Sequence, residues 1–101
     1  MTVNYFITAK TNETLEGINV SLNAEFKKGE LPQEVTITAT GQRVRETKPI
    51  GYMSLNAKYN ITSNDFTTLS GSNLESDFVS ALVLKVQEFY NTIREGQGGM
   101  L

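Results

Sequence analysis

The segment from Ser72 to Glu95 constrains this chain more than any other, because its apolar residues recur at helical spacing. Phe78, Val79, Leu82, Val83, Val86, Phe89, Tyr90 and Ile93 fall within one broad arc when the chain is wound at about 100° per residue. That arc is wider than a coiled-coil seam and suits a helix laid on a sheet. Ser72 followed by Glu75 has the spacing of a capping box, in which hydroxyl and carboxylate each satisfy a first-turn amide. Gly96 is placed to end the helix in a left-handed conformation, with Arg94 facing the negative end of its dipole.

A helix with one apolar face needs a surface to cover, and the preceding residues supply it. Ile18, Val20, Leu22, Ala24 and Phe26 alternate with Asn19, Ser21, Asn23, Glu25 and Lys27, a period of two that only a strand turns into two faces. Val3, Tyr5, Ile7 and Ala9 alternate with Asn4, Phe6 and Thr8 in an earlier strand over 3–9, and the polar run Thr11 to Thr14 reads as a turn or loop. A third strand turns Val35, Ile37 and Ala39 inward and Thr36, Thr38 and Thr40 outward. Val44 has the wrong parity for its core face, so an extra residue is expected near Gly41 as a β-bulge or a sharp bend. After a turn over Glu46 to Pro49, a fourth strand places Met53, Leu55, Ala57, Tyr59 and Ile61 on the core face. Ser63 to Gly71 reads as a polar connection whose Phe66 and Leu69 tuck under the helix.

The expected fold is therefore α+β: a four-stranded antiparallel meander sheet with one long C-terminal helix on its apolar face. Residues 1–96 form a single domain, which 101 residues can sustain without a metal or disulfide staple, and 97–101 form a flexible tail. There is no Cys and no His, which removes thiolate nucleophiles, the commonest general base and the commonest metal ligands. No catalytic carboxylate pair, nucleophile elbow or phosphate-cradling glycine loop is present, so the expectation is a non-enzyme with no catalytic, cofactor-binding or metal residues and no cofactor. No apolar run reaches the roughly 18 residues of a membrane span, and no signal peptide is visible, so a cytoplasmic location and no membrane partner are expected. Abundant Asn and Thr with no Trp is the bias of small genes in AT-rich bacteria and their phages, where the chain would be virion-associated.

Three surfaces compete for a function. The leading one is a protein contact, to self or to another chain, through Leu84, which stands on the polar side of the helix with Ala81, Lys85 and Glu88. Phe6 joins it, because its parity puts an aromatic on the outer face of an edge strand. The alternative is weak nucleic-acid binding by Arg43, Arg45, Lys48 and Lys58 with Tyr52 as a stacking ring, set against a net charge of −2. The third is a ligand pocket lined by Phe26, Tyr59, Phe78 and Phe89, residues that are better accounted for as simple core filling.

Overall fold

The computed structural model describes residues 3, 5–72 and 74–100, with Arg45, Ile50 and residues 97–100 described by backbone alone. Five strands follow one another as an antiparallel meander: β1 (Phe6–Leu15), β2 (Ile18–Lys27), β3 (Glu34–Arg45), β4 (Lys48–Asn60) and β5 (Asp65–Ser72). One helix, α1 (Ser76–Met100), follows them among the described residues. The fold is thus α+β as expected, but with five strands where four were expected.

The period-two pattern of β2 acts as anticipated. Ile18, Val20, Leu22, Ala24 and Phe26 are all buried, and register carries the same face across β3 and β4 through Val20–Ala39–Leu55 and Leu22–Ile37–Ala57. The helical stripe Phe78, Leu82, Val86, Phe89 and Ile93 completes one continuous core. Burying such side chains contributes about 1.5–3 kcal/mol each, which is what holds helix to sheet.

Several local features differ from those expected. The polar run Thr11 to Thr14 is no turn: it continues β1, paired with Leu22 to Asn19, and the chain reverses at Glu16 and Gly17. Glu16 and Gly17 both have positive φ, 50° and 81°, the two-residue turn whose twist matches flanking strands. Ser63 to Gly71 is no mere connection either, since Asp65 to Ser72 pairs along β4. Leu69 stands opposite Ala57 on the core face yet is 42% exposed, because β5 lies at the margin of the helix's cover. Phe66 does tuck in, meeting Tyr59 edge to face with ring centroids 5.1 Å apart.

The bulge lies further along the β3–β4 pairing than Gly41. β3 keeps its alternation through Gly41, which pairs with Met53, and on to Arg43; register slips only between Arg43 and Val44. The extra residue belongs to β4, where Ile50 falls between the partners of Arg43 and Val44. Last, Ser72 pairs with Ser54 as the end of β5, so no capping box forms with Glu75. The helix's first bond instead runs from the Val79 N–H to the Glu75 carbonyl, and the helix passes through Gly96. Asn4 and Leu101, assigned above to strand and tail, lie outside the described residues.

Candidate functional site

Because β3 alternates without interruption, Arg43 points into the core face in line with Val35, Ile37 and Ala39, and it is only 3% exposed. A buried guanidinium demands compensation for its lost hydration. Three carboxylates supply it: Glu16 from the β1–β2 turn takes the Nε–H, Glu75 lies 3.1 Å from Nη1, and Asp77 lies 3.2 Å from Nη2. The cation also stands 5.2 Å from the centre of the Phe78 ring. Burial by itself lowers the arginine's pKa, but the hydrogen bond and charge of Glu16 and the charges of Asp77 and Glu75 outweigh it and raise it. Nη1 makes its ion pair with Glu75 without a well-aligned hydrogen bond, so the cluster is held by charge as much as by hydrogen bonding. It pins the start of α1 to the sheet and to the first hairpin.

This placement removes Arg43 from the expected basic patch. Tyr52 pairs with Gln42 and Lys58 with Thr36 on the outer face, opposite the core face that holds Arg43. Lys48 is exposed at the β3–β4 hairpin, and the side chain of Arg45 lies outside the described residues. Tyr52 and Thr40 join hydroxyls at 2.7 Å. Arg43, a candidate nucleic-acid contact by sequence, is therefore a core residue: a bulge near Gly41 would turn it outward, but the register slip comes only after it. Around Lys58 and Tyr52 the outer face carries cross-strand rows of small polar groups, such as Asn12–Ser21–Thr38–Asn56–Ser70, with no large anchor. Phe26, Tyr59, Phe78 and Phe89, considered above as pocket walls, are buried members of the one core.

The expected protein-contact residues fare differently. Leu84 is 61% exposed and Phe6 57%. Lys85 reaches from the helix to Glu13 of β1 at 3.3 Å and to Glu88 at 3.6 Å, so it is half-buried rather than fully outward. Its hydrogen bond to Glu13 is the main reason its pKa is raised, with the charges of Glu13 and Glu88 adding to it. This bridge sets the Lys85 side of α1 over the edge strand. A cleft between them has Ala9 and Thr11 on its floor and Glu88 and Thr92 on its wall.

The two sheet edges are not equivalent. β5 is blunted by a register slip against β4 between Lys58 and Tyr59 and is lined by exposed polar residues. β1 has no Pro, no Gly and no slip over Phe6–Leu15, and its helix-facing residues Ile7, Ala9, Thr11, Glu13 and Leu15 are only half covered. Among the described residues, nothing pairs with its outer side. Family models, curated proteins and solved structures were all compared, and none matches. The site must be read from its own chemistry. A long, regular, open strand edge beside an exposed Val3, Tyr5 and Phe6 is the feature of this surface that no neighbour among the described residues satisfies. Among the described residues, no helix is long and apolar enough to cross a membrane.

Proposed function

We propose that this chain is a non-enzymatic interaction module that acts through a protein–protein surface made of the β1 edge and the adjoining flank of α1. The observation that supports this reading is the unpaired edge of β1, uninterrupted from Phe6 to Leu15 and half covered on its inner face. Backbone groups on such an edge bind an added strand whatever its side chains, while Phe6 and Leu84 supply apolar area on either side. Burying Leu84 fully contributes about 1.5–3 kcal/mol to the contact. The proposed origin in a phage or mobile element is tested by gene neighbourhood, where head, tail or replication genes alongside would support it.

The experiment is affinity purification of the tagged chain from the cells that encode it, run in parallel with Asn12→Pro and Leu84→Lys. Asn12→Pro blocks the open edge, so a partner held by wild type should be lost on that variant while circular dichroism stays unchanged. Identical sets of retained proteins on wild type and Asn12→Pro would refute the reading.

A further inference from the structure

We infer that the occupant of the β1 edge is a second copy of the chain, paired antiparallel about a two-fold axis that passes through Thr11; this rests on the edge being an interaction surface. The phase of the edge comes first. The Tyr5 carbonyl accepts from the Lys28 N–H at 3.1 Å, and Leu15 closes the hairpin with Ile18 across Glu16 and Gly17. Odd-numbered residues of β1 therefore spend their backbone groups on β2. Antiparallel bonding alternates, so Phe6, Thr8, Lys10, Asn12 and Thr14 turn their N–H and C=O to the open side. Each of those residues also has an exposed side chain.

Symmetry then selects the register. A two-fold axis perpendicular to the sheet keeps inner residues opposite inner residues, which leaves one choice of centre at every residue of the strand. A centre at Lys10 sets two ammonium groups side by side and puts Ile7 against Glu13, and like charges directly opposed are destabilising. Centres at Ala9 or Asn12 shorten the ladder. A centre at Thr11 pairs Ile7 with Leu15 and Ala9 with Glu13 on the inner face, and Thr8 with Thr14 and Lys10 with Asn12 on the outer. The ladder then runs from Ile7 to Leu15 with no like charges opposed. Lys10, an edge guard against pairing in general, guards here against the wrong register alone.

The same axis brings the two helix flanks alongside one another on the inner face. The cleft over Ala9 and Thr11, walled by Glu88 and Thr92, then lies beside the seam in each copy. Half-covered Ile7 and Leu15 gain cover from one another, which the monomer cannot give them.

The chain has no cysteine, so a single introduced thiol reports the register directly. Thr11 faces its own copy in a non-hydrogen-bonded pair, with Cα atoms about 4.5 Å apart, inside the range a disulfide spans. Light scattering on the wild-type chain should give twice the 11.2 kDa of one chain. Under mild oxidation, Thr11→Cys should form a covalent dimer in high yield, and Thr8→Cys, whose partner is Thr14, should not. Asn12→Pro removes two symmetry-related hydrogen bonds and should weaken the dimer by roughly thirtyfold. A wild-type chain that stays monomeric at every accessible concentration overturns the inference, as does a dimer in which Thr8→Cys cross-links as well as Thr11→Cys. If the monomer still holds an edge-dependent partner, only the self-pairing falls and the interaction reading survives; if edge dependence also fails, both fall.

Discussion

Arg43 shows how one side chain organises two distant parts of the chain. Its guanidinium draws together a turn residue, Glu16, and two residues at the start of the helix, Glu75 and Asp77, none of them near it in sequence. The acids keep part of their hydration, with Glu75 and Asp77 side chains more than half exposed, so they are cheap to leave unpaired. Arg43→Ala should therefore cost about 2–3 kcal/mol, the loss of charge-assisted hydrogen bonds, short of the ~3–5 kcal/mol of a fully buried pair. Urea midpoints at constant slope measure this, and Arg43→Met, which keeps an aliphatic cover on Phe78, should lose less. Tyr59 sets the response to alkali. Burial and the nearby charge of Asp65 raise its pKa above the unfolded value near 10. A group that holds its proton more tightly when folded stabilises fully below the unfolded pKa and loses that contribution as pH climbs through the folded one. Lys85, raised by Glu13 and Glu88, acts with the same sign. Stability should thus decline above about pH 10, and less steeply in Tyr59→Phe, as read by denaturant unfolding across an alkaline series.

Among the elements, what escaped the sequence pattern is the second half of β1 and the whole of β5, both at sheet edges. Thr11 to Thr14 and Asp65 to Ser72 carry little apolar alternation, because an edge strand needs fewer buried side chains than a central one. Their backbone pairing, not their side chains, makes them strands. Gly71 shows how closely β5 seats on β4: a Cβ there would lie 2.1 Å from the Ser54 carbonyl oxygen and 2.9 Å from the Leu55 Cα. Gly71→Ala should cost about 1–3 kcal/mol by overpacking, with faster amide exchange along β5 and little change in β1 to β3. The helix start moved for the same reason, since Ser72 is committed to β5 and cannot cap. Its apolar stripe was legible throughout. Leu82 is fully buried at its centre, and Leu82→Ala should cost about 2–5 kcal/mol in thermal or urea unfolding.

At the scale of the molecule, the helix is the only cover the described sheet has on its apolar face. Removing residues 76–101 would expose Val20, Leu22, Ile37, Leu55 and their neighbours together, and the remaining strands should aggregate or stay unfolded by circular dichroism. The molecule's long axis of 54 Å against 25 and 22 Å leaves much of each edge strand near solvent. What the sequence determined alone was the pairing of a sheet with a helix, together with the core residues of β2, β3, β4 and α1. Periods of two and of about 3.6 leave no other way to bury those side chains in one core. Phe6 and Leu84 were legible as exposed for the same reason. Tertiary structure alone decided that Arg43 lies inside, that the sheet has a fifth strand, and that β1 rather than β5 is the open, regular edge. Those outcomes rest on backbone hydrogen bonds, which are blind to side-chain type, and on charges that meet only after Glu16, Arg43 and Asp77 have been folded to one place.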